Sequence, residues 1–224
     1  MAALVWDKTA ERFYETGVDH GVLYVQNSDG SYAKGVEWNG LTSVTEKPDG
    51  AEPNDLYADN IKYASLRSAE TYGATIEAYM YPEEFAQCDG SYSIAKGVYM
   101  GQQTRKPFGF CYRTLVGNDT ATDEDDGYQI HIIYNATASP SEKNHETVND
   151  SPDAMQMSWD IDTTPVPITE IPNKKPVSTI TIDSTKVNAA KLKTLEDTLY
   201  GTANSDPTLP TPDEIIAMFQ SQNP

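Results

Sequence analysis

The sequence predicts a mainly β fold with two helices in its C-terminal part. Glycine, proline and tyrosine each occur 14 times, and the polar residues are mostly Ser, Thr, Asn and Asp, which suit turns and sheet surfaces better than long helices. Four Asp-Gly pairs indicate tight turns, because glycine reaches positive φ without steric cost. They are Asp29-Gly30, Asp49-Gly50, Asp89-Gly90 and Asp126-Gly127.

Six segments beside these turns carry the residue types and alternation of β-strands. They are residues 21–26, 35–46, 74–81, 107–117, 128–134 and 154–162. The last segment shows the clearest period of two. Its apolar set is Met155, Met157, Trp159 and Ile161, and its polar set is Gln156, Ser158, Asp160 and Asp162. This pattern predicts a half-buried strand with Trp159 in the core.

Two C-terminal segments have helical periodicity. Residues 188–201 contain an apolar stripe and end at Gly201, a typical C-terminal stop. The stripe consists of Ala189, Leu192, Leu195 and Leu199. In residues 211–220, Thr211 and Glu214 have the spacing of a capping box that opens a helix.

The proline-rich segment 163–176 cannot lie inside a central strand, because proline lacks the N–H that a sheet ladder needs. We therefore expect an edge or connecting segment that separates a β body, residues 1–170, from a strand and two helices in residues 171–224. We expect the C-terminal part to fold back on the β body, so that residues 1–224 form a single domain. A short helix is also expected near residues 82–90.

The chain is strongly acidic, with 34 acidic and 16 basic residues and a formal net charge of −18. Binding of nucleic acid is therefore not expected, because that affinity comes from Lys and Arg neutralising phosphates. We expect no signal peptide, since charged residues begin at Asp7, and no membrane span, since no run of about 20 apolar residues occurs. Cys88 and Cys111 are expected to be reduced thiols in the core.

Motifs of catalytic and metal sites are missing from the sequence. There is no GxSxG, GxxxxGK[ST] or CxxC pattern, and His20, His131 and His145 lack metal-ligand spacing. The acidic stretch before Gly127 fails the EF-hand pattern, because Ile133 stands where a bidentate Glu is needed. We therefore predict no enzyme, no metal and no cofactor.

Three alternatives stay open at this point. The acidic stretch is compatible with a looser calcium site, and a pair of carboxylates across a cleft with a glycosidase, which together leave a calcium-dependent hydrolase open. A third alternative is a monomeric β-sandwich that binds carbohydrate or a receptor through Trp6, Trp38 and Trp159. In that alternative, however, the strand pattern around Trp159 favours a core position.

Five segments resemble, in order and with similar spacing, the major tail proteins of siphophages, which are the subunits of the long non-contractile tail tube. They are "VEWNGLTSVTEKPDGAEPNDLYADNIKYASLRSAETYGATIEAYMYPEEF" (36–85), "GQQTRKPFGFCYRTLVGND" (101–119), "GYQIHIIYNATASPSEK" (127–143), "DSPDAMQMSWDIDTTPV" (150–166) and "TITIDSTKVNAAKLKTLEDTLYG" (179–201). The likeness extends over most of the chain and is more specific than any single motif.

The resemblance implies a tail-tube β-sandwich with a flanking helix and C-terminal helices, which contributes strands to a hexameric inner β-barrel. It implies a virion protein, assembled in the host cytoplasm, whose rings stack into a tube around the tape-measure protein. The tube later conducts DNA into the host. Expected partners are other copies of the chain, the tape-measure protein, and the tail terminator and distal tail proteins. No reaction is implied.

Six copies of the chain would carry six times −18, or −108, formal charges. A lumen lined by part of that charge would repel DNA phosphates over about 8 Å at physiological salt. The lumen-facing residues are not assigned. We expect the acidic hairpin to lie on the tube exterior or at a ring interface. Its acids are Asp119, Asp123, Glu124, Asp125 and Asp126.

The connection over residues 46–60 is predicted as a long loop that contacts the next ring, because long ordered loops in compact domains are usually functional. Its candidate contact residues are Asp49, Glu52, Asn54 and Asp55. The alternative is a mobile surface loop without a partner.

Overall fold

The computed structural model describes residues 4–120, 127–147, 150 and 153–220. The strands are β1 (Phe13–Val25), β2 (Val36–Trp38), β3 (Leu41–Gly50), β4 (Pro53–Ala58), β5 (Ile61–Arg67), β6 (Glu70–Ala78), β7 (Tyr92–Ala95), β8 (Val98–Met100), β9 (Phe108–Asn118), β10 (Gly127–Ala138), β11 (Met157–Thr163) and β12 (Thr179–Asp183). The helices are a 3₁₀ helix at Glu83–Gln87, α1 (Ala189–Leu199) and α2 (Pro212–Gln220). The fold is therefore mainly β, as the sequence predicts.

One antiparallel sheet has the strand order β2-β1-β9-β10-β11-β6-β3, with β12 as a branch. The branch arises on β10, whose residues 129–133 pair with β12 while residues 136–138 pair with β11. Two hairpins, β4-β5 and β7-β8, form small sheets of their own. The main sheet thus divides at the middle of β10 into a part that continues to β12 and a part that continues to β3.

The sheet curls around a first core cluster. Trp38 in β2 and Trp159 in β11 lie four strand positions apart, which corresponds to about 19 Å in a flat sheet. Their ring centroids are nevertheless 5.6 Å apart, and Phe85 of the 3₁₀ helix fills the remaining space, with its ring 4.5 Å from that of Trp38. Strands β2 and β11 therefore face each other across an aromatic core, as in a sandwich, and the sheet does not close into a barrel.

A second core cluster lies on the opposite face of β1, β9 and β10 and is covered by α1 and α2. Leu195 and Leu199 of α1 and Ile215 of α2 are buried in it. Two buried tyrosines fix the helical segment to the sheet. The Tyr24 hydroxyl donates to the Leu199 carbonyl at 2.6 Å, and the Tyr134 hydroxyl donates to the Pro210 carbonyl at 2.9 Å.

Both helices occur where the sequence predicts them. The capping box of α2 is formed, because the Thr211 N–H donates to Glu214 Oε2 at 2.7 Å and the Glu214 N–H donates to Thr211 Oγ1 at 3.3 Å. In α1 the stripe is buried except for Ala189, which is exposed in the first turn. Side-chain burial therefore supports the predicted periodicity from Leu192 onward.

The strand predictions are largely confirmed, with two shifts. Residues 35–46 form two strands instead of one, because the chain turns at Gly40, whose φ is 77°. The strand predicted from residue 154 begins at Met157, and Met155 is exposed outside it. Met157, Trp159 and Ile161 are buried, so the alternation identified the core-facing side correctly.

The two cysteines are buried free thiols in different clusters. Cys88 belongs to the first core cluster and Cys111 to the second, on the other face of the sheet. Burial raises the pKa of each thiol to about 12. Both thiols are therefore protonated and unreactive in the folded chain at neutral pH.

Candidate functional site

The residues between the inner parts of β3 and β6 project from the body as an arm, defined here as residues 48–71. These residues are exposed except for Ala51, Asp55 and Ala64. The arm consists of the outer ends of β3 and β6, which pair with each other, and of the β4-β5 hairpin beyond them. It has few contacts with the core and is available for contact with another molecule.

The prediction of a long loop over residues 46–60 is wrong, because most of this segment is strand. The segment contains two prolines, Pro48 and Pro53. Pro48 lies in β3, which pairs only with β6 and whose other edge is open, and Pro53 is the first residue of β4. Proline is tolerated at both kinds of position, because neither N–H is needed by the ladder.

All four predicted contact residues lie on the arm. Asp49 is in β3, Glu52 in the turn that follows, and Asn54 and Asp55 in β4. Asp55 has partners within the hairpin: Lys62 Nζ lies 2.8 Å from its carboxylate, and the Ser65 hydroxyl donates to it at 2.7 Å. These contacts, led by that with Lys62, lower the pKa of Asp55. Asp55 therefore stabilises the hairpin and is less free for an outside partner.

Sequence reasoning missed the apolar side chains of the arm. Tyr57 and Tyr63 are 71% and 74% exposed, and three aliphatic residues of the hairpin are exposed as well. The aliphatic residues are Leu56, Ile61 and Leu66. A two-stranded hairpin is marginally stable alone, and contiguous exposed apolar residues typically mark an interaction surface. The signal in the sequence was the apolar content of residues 56–66 between turn residues.

The outer surface of β3, β6 and β11 forms a polar face. Because Val44, Ile76 and Trp159 point into the first core cluster, their neighbours in each strand point outward. These neighbours are Ser43, Thr45, Lys47, Thr75, Glu77, Ser158, Asp160 and Asp162. These eight side chains comprise one cation, three carboxylates and no large apolar group, and no helix among the described residues covers them.

Hydrogen bonds order the polar face. Asp160 accepts hydrogen bonds from the Thr75 hydroxyl and from Lys47 Nζ, and these lower its pKa, with Thr75 the larger cause. The Ser43 hydroxyl donates to Glu77 Oε2 at 2.7 Å. Asp160 is therefore ionised near neutral pH, and the face presents hydroxyls and fixed negative charge.

A polar cluster connects the middle of β3, next to the arm, with β9 and β10. The Tyr112 hydroxyl donates to Glu46 Oε1 at 3.1 Å, and the His131 ring stacks on Tyr112 with centroids 4.6 Å apart. His131 Nδ1 lies 3.8 Å from Glu46 Oε1, and burial lowers the pKa of this histidine. The cluster fixes the base of the arm against β9 and β10.

The acidic hairpin can be described only in part. Asp119 accepts a hydrogen bond from the Ala10 N–H at 2.9 Å and lies 3.4 Å from Arg12 Nη1, so it anchors the chain before β1. The other predicted acids lie outside the described residues. They are Asp123, Glu124, Asp125 and Asp126.

The three tryptophans do not form a common surface. Trp38 and Trp159 are buried together in the first core cluster, whereas Trp6 is exposed. The carbohydrate-binding alternative that relied on all three is therefore wrong in its proposed residues.

Within the part of the chain that the structure describes, no group of three or more His, Cys, Asp or Glu side chains is arranged to hold a metal ion. Neither α1 nor α2 is long and apolar enough to cross a membrane, and the same holds for every helix among the described residues.

The described residues thus combine an exposed apolar arm, unpaired sheet edges at β2 and β3 and a polar sheet face. The sequence matches the phage tail tube protein family over residues 24–203. The chain belongs to this family, whose members are structural proteins and not enzymes. The resemblance seen in the sequence is thereby confirmed at the level of the family.

No curated protein matches the chain. Three solved structures are similar over much of its length. A chain of the six-fold symmetrised anti-feeding prophage baseplate is 6% identical, with a TM-score of 0.35, and the match covers 80% of this chain and 97% of that one. A chain of the PVC sheath/tube terminator, from an extracellular contractile injection system in the extended state, is 11% identical with a TM-score of 0.31, covering 80% and 99%. A chain of the PVC sheath-tube complex is 12% identical with a TM-score of 0.30, covering 73% and 88%.

Proposed function

We propose that this protein is a major tail protein of a siphophage, which forms hexameric rings that stack into a non-contractile tail tube. Family membership supports a tail tube subunit. The observation that carries the proposal further is the arm, whose exposed tyrosines and aliphatic residues require a partner that a second copy of the chain would supply.

The polar face of β3, β6 and β11 is proposed to line the lumen. Its carboxylates repel DNA phosphates and its hydroxyls keep water at the wall, so DNA would pass without binding. The helices α1 and α2 lie on the other side of the sandwich, against β1, β9 and β10, and would face outward. Because β3 and β2 have open edges, joining neighbouring subunits edge to edge would protect both from aggregation.

The arm is proposed to make the contact between rings. The six residues of β4 extend about 20 Å at 3.3 Å per residue, and the hairpin would use this length to contact the adjacent ring. Its apolar residues would supply the energy of stacking, while Asp49, Glu52 and Asn54 would lie at the polar rim of the contact. Asp55 would act indirectly, by holding the hairpin through Lys62.

The remaining parts of the proposal follow the family. Residues 1–224 would act as a single domain, and the tube would enclose the tape-measure protein and join tail terminator and distal tail proteins. The acidic hairpin, including Asp119, would lie on the exterior or at a ring interface. The protein would assemble in the host cytoplasm and reside in the virion, without a cofactor.

Negative-stain electron microscopy of the purified protein over a range of concentrations, with light scattering for its mass, tests the proposal. Six-fold rings or hollow tubes are expected. A protein that stays monomeric at every concentration, and also in the presence of an assembly initiator, would contradict the proposal and favour a monomeric receptor-binding module.

A further inference from the structure

An apolar groove lies beside the open edge of β12. It has a volume of about 390 Å³ and is bounded by β12, α2 and the proline-rich segment. Its apolar lining includes Ile168, Ile180, Ile182, Ile216 and Phe219. Ile182 is buried, while the other four side chains are half-buried and form an accessible floor and wall.

The backbone of β12 offers hydrogen-bonding groups along this groove. The Tyr134 N–H donates to the Ser178 carbonyl and the Ser184 N–H donates to the Tyr128 carbonyl, so even-numbered residues of β12 face β10. The N–H and C=O groups of Thr179 and Thr181 therefore point to the open edge. An added strand could pair with them and place alternate side chains in the groove.

The N-terminal segment, defined here as residues 4–9, has the character of such a strand. Leu4, Val5 and Trp6 are 78%, 66% and 75% exposed, so they do not occupy the groove of their own chain. In an extended strand Leu4 and Trp6 would point to one side and Val5 to the other. The groove would take Leu4 and Trp6.

The point where the segment is anchored determines its reach. Asn118 Nδ2 donates to the Ala10 carbonyl and the Ala10 N–H donates to Asp119, which fixes the chain at the end of β9. Six residues precede this anchor within the described chain and span about 20 Å when extended. That length is sufficient to reach a neighbouring subunit.

The buried area indicates what kind of partner the groove has. An aromatic side chain buries about 150–250 Å², so Leu4, Val5 and Trp6 would contribute on the order of 400 Å² and the groove a similar area. Their total is below the roughly 1,200 Å² of a stable independent interface. The contact is therefore weak for a free segment and becomes strong between two molecules that already touch elsewhere, as neighbouring tube subunits would.

We infer that the N-terminal segment of one copy adds to β12 of a second copy, with Leu4 and Trp6 in the apolar groove under α2. This inference rests on the proposed self-assembly. It assigns the C-terminal strand and α2 a role as acceptor of a neighbour's chain terminus.

Disulfide trapping tests the inference. Thr181 is an exposed residue of β12 that alternates with Ile180 and Ile182, and in the added strand Val5 would lie on the same side of the sheet as Thr181, so Val5→Cys and Thr181→Cys place the two thiols side by side. The two variants are mixed as separate proteins, assembled and oxidised, so a bond between them joins two copies by construction. Thr194→Cys, on the exposed side of α1, is the matched control. Cys88 and Cys111 are buried and will not compete.

A covalent dimer of Val5→Cys with Thr181→Cys, at least tenfold above that with Thr194→Cys, is the expected result. Tubes that form without this dimer would overturn the inference while leaving the proposed function intact. An intramolecular bond in the Val5→Cys/Thr181→Cys double variant, without bonds between copies, would also overturn it.

A fluorescence measurement covers the case in which no tube forms. A peptide of residues 2–9 with 5-hydroxytryptophan in place of Trp6 is added to protein lacking residues 1–9, and it is excited at a wavelength that Trp38 and Trp159 do not absorb. Protection of the 5-hydroxytryptophan from acrylamide, lost when Ile216→Ser is used as acceptor, supports the groove even without assembly. A peptide that remains fully quenched at millimolar acceptor would overturn the inference independently of whether the protein forms tubes.

Discussion

Removing the two exposed tyrosines of the arm should abolish stacking without unfolding the subunit. Tyr57 and Tyr63 are 71% and 74% exposed, so each has on the order of 100–180 Å² available for an interface. At about 25 cal/mol per Å², burial of each ring contributes roughly 3 kcal/mol per contact, and the Tyr57→Ser/Tyr63→Ser variant loses about 6 kcal/mol. Since about 1.4 kcal/mol corresponds to a factor of ten, the contact weakens by roughly 10⁴-fold.

The assay is the concentration at which tubes appear in sedimentation and negative stain, with thermal unfolding as the control for folding. Exposed positions usually change stability by no more than about 0.5 kcal/mol, so the unfolding midpoint should hardly move. Tyr57→Phe/Tyr63→Phe keeps the apolar area and should assemble like the unmodified chain. Serine variants that form tubes at the unmodified concentration would refute the assignment of the arm as the stacking contact.

Three further outcomes are expected. Trp159→Ala should lower the free energy of unfolding by about 3–5 kcal/mol in a denaturant titration, because the buried ring contacts three other aromatic rings. A loss below about 1 kcal/mol would contradict the position of Trp159 in the core. The Arg113 guanidinium donates two hydrogen bonds to the Asp19 carboxylate and lowers the pKa of Asp19. The stability that this pair contributes is therefore present above the ordinary carboxyl pKa and is lost as the pH falls through the lowered value. Arg113→Gln should flatten this dependence of the unfolding free energy on acid pH, and an unchanged pH profile would contradict the pairing. Cys88 and Cys111, whose pKa values burial raises to about 12, should resist iodoacetamide at neutral pH until denaturant is added, and rapid labelling of the folded chain would disprove their burial.

The strands and helices with one buried face could be predicted from the sequence, because burial imposes a period on the residues. Trp159 and its neighbours alternate at period two, and Leu192, Leu195 and Leu199 follow the helical period, so both patterns gave the correct element and the correct inner face. The curl that brings Trp38 onto Trp159 could not be predicted. It depends on twist and on the branch at β10, which no local pattern encodes.

The sequence indicated where the arm lies but not its structure, and its role as a contact stays a prediction. Sequence reasoning identified residues 46–60 as a contact region, and Asp49 to Asp55 do lie on the arm, but the segment was taken for a loop and its tyrosines were overlooked. In the sequence alone, Tyr57 and Tyr63 cannot be distinguished from core residues, because an exposed aromatic side chain has the same chemistry as a buried one. Only the fold shows that no part of the described subunit covers them.

Only the β11 part of the polar face could be predicted from the sequence. Ser158, Asp160 and Asp162 were identified as the outward side of their strand, but their neighbours on β3 and β6 come from segments more than 80 residues away in the chain. The joint surface exists only because β11 pairs with β6. The carboxylates outnumber the cations on this face, as they do in the composition of the whole chain.

Cryo-electron microscopy of assembled tubes tests the central claim most directly. The account predicts hollow tubes of six subunits per ring, with the polar face of β3, β6 and β11 toward the lumen and the arm seated on the adjacent ring. Tubes in which the arm points into solvent, or in which α1 and α2 line the lumen, would contradict it.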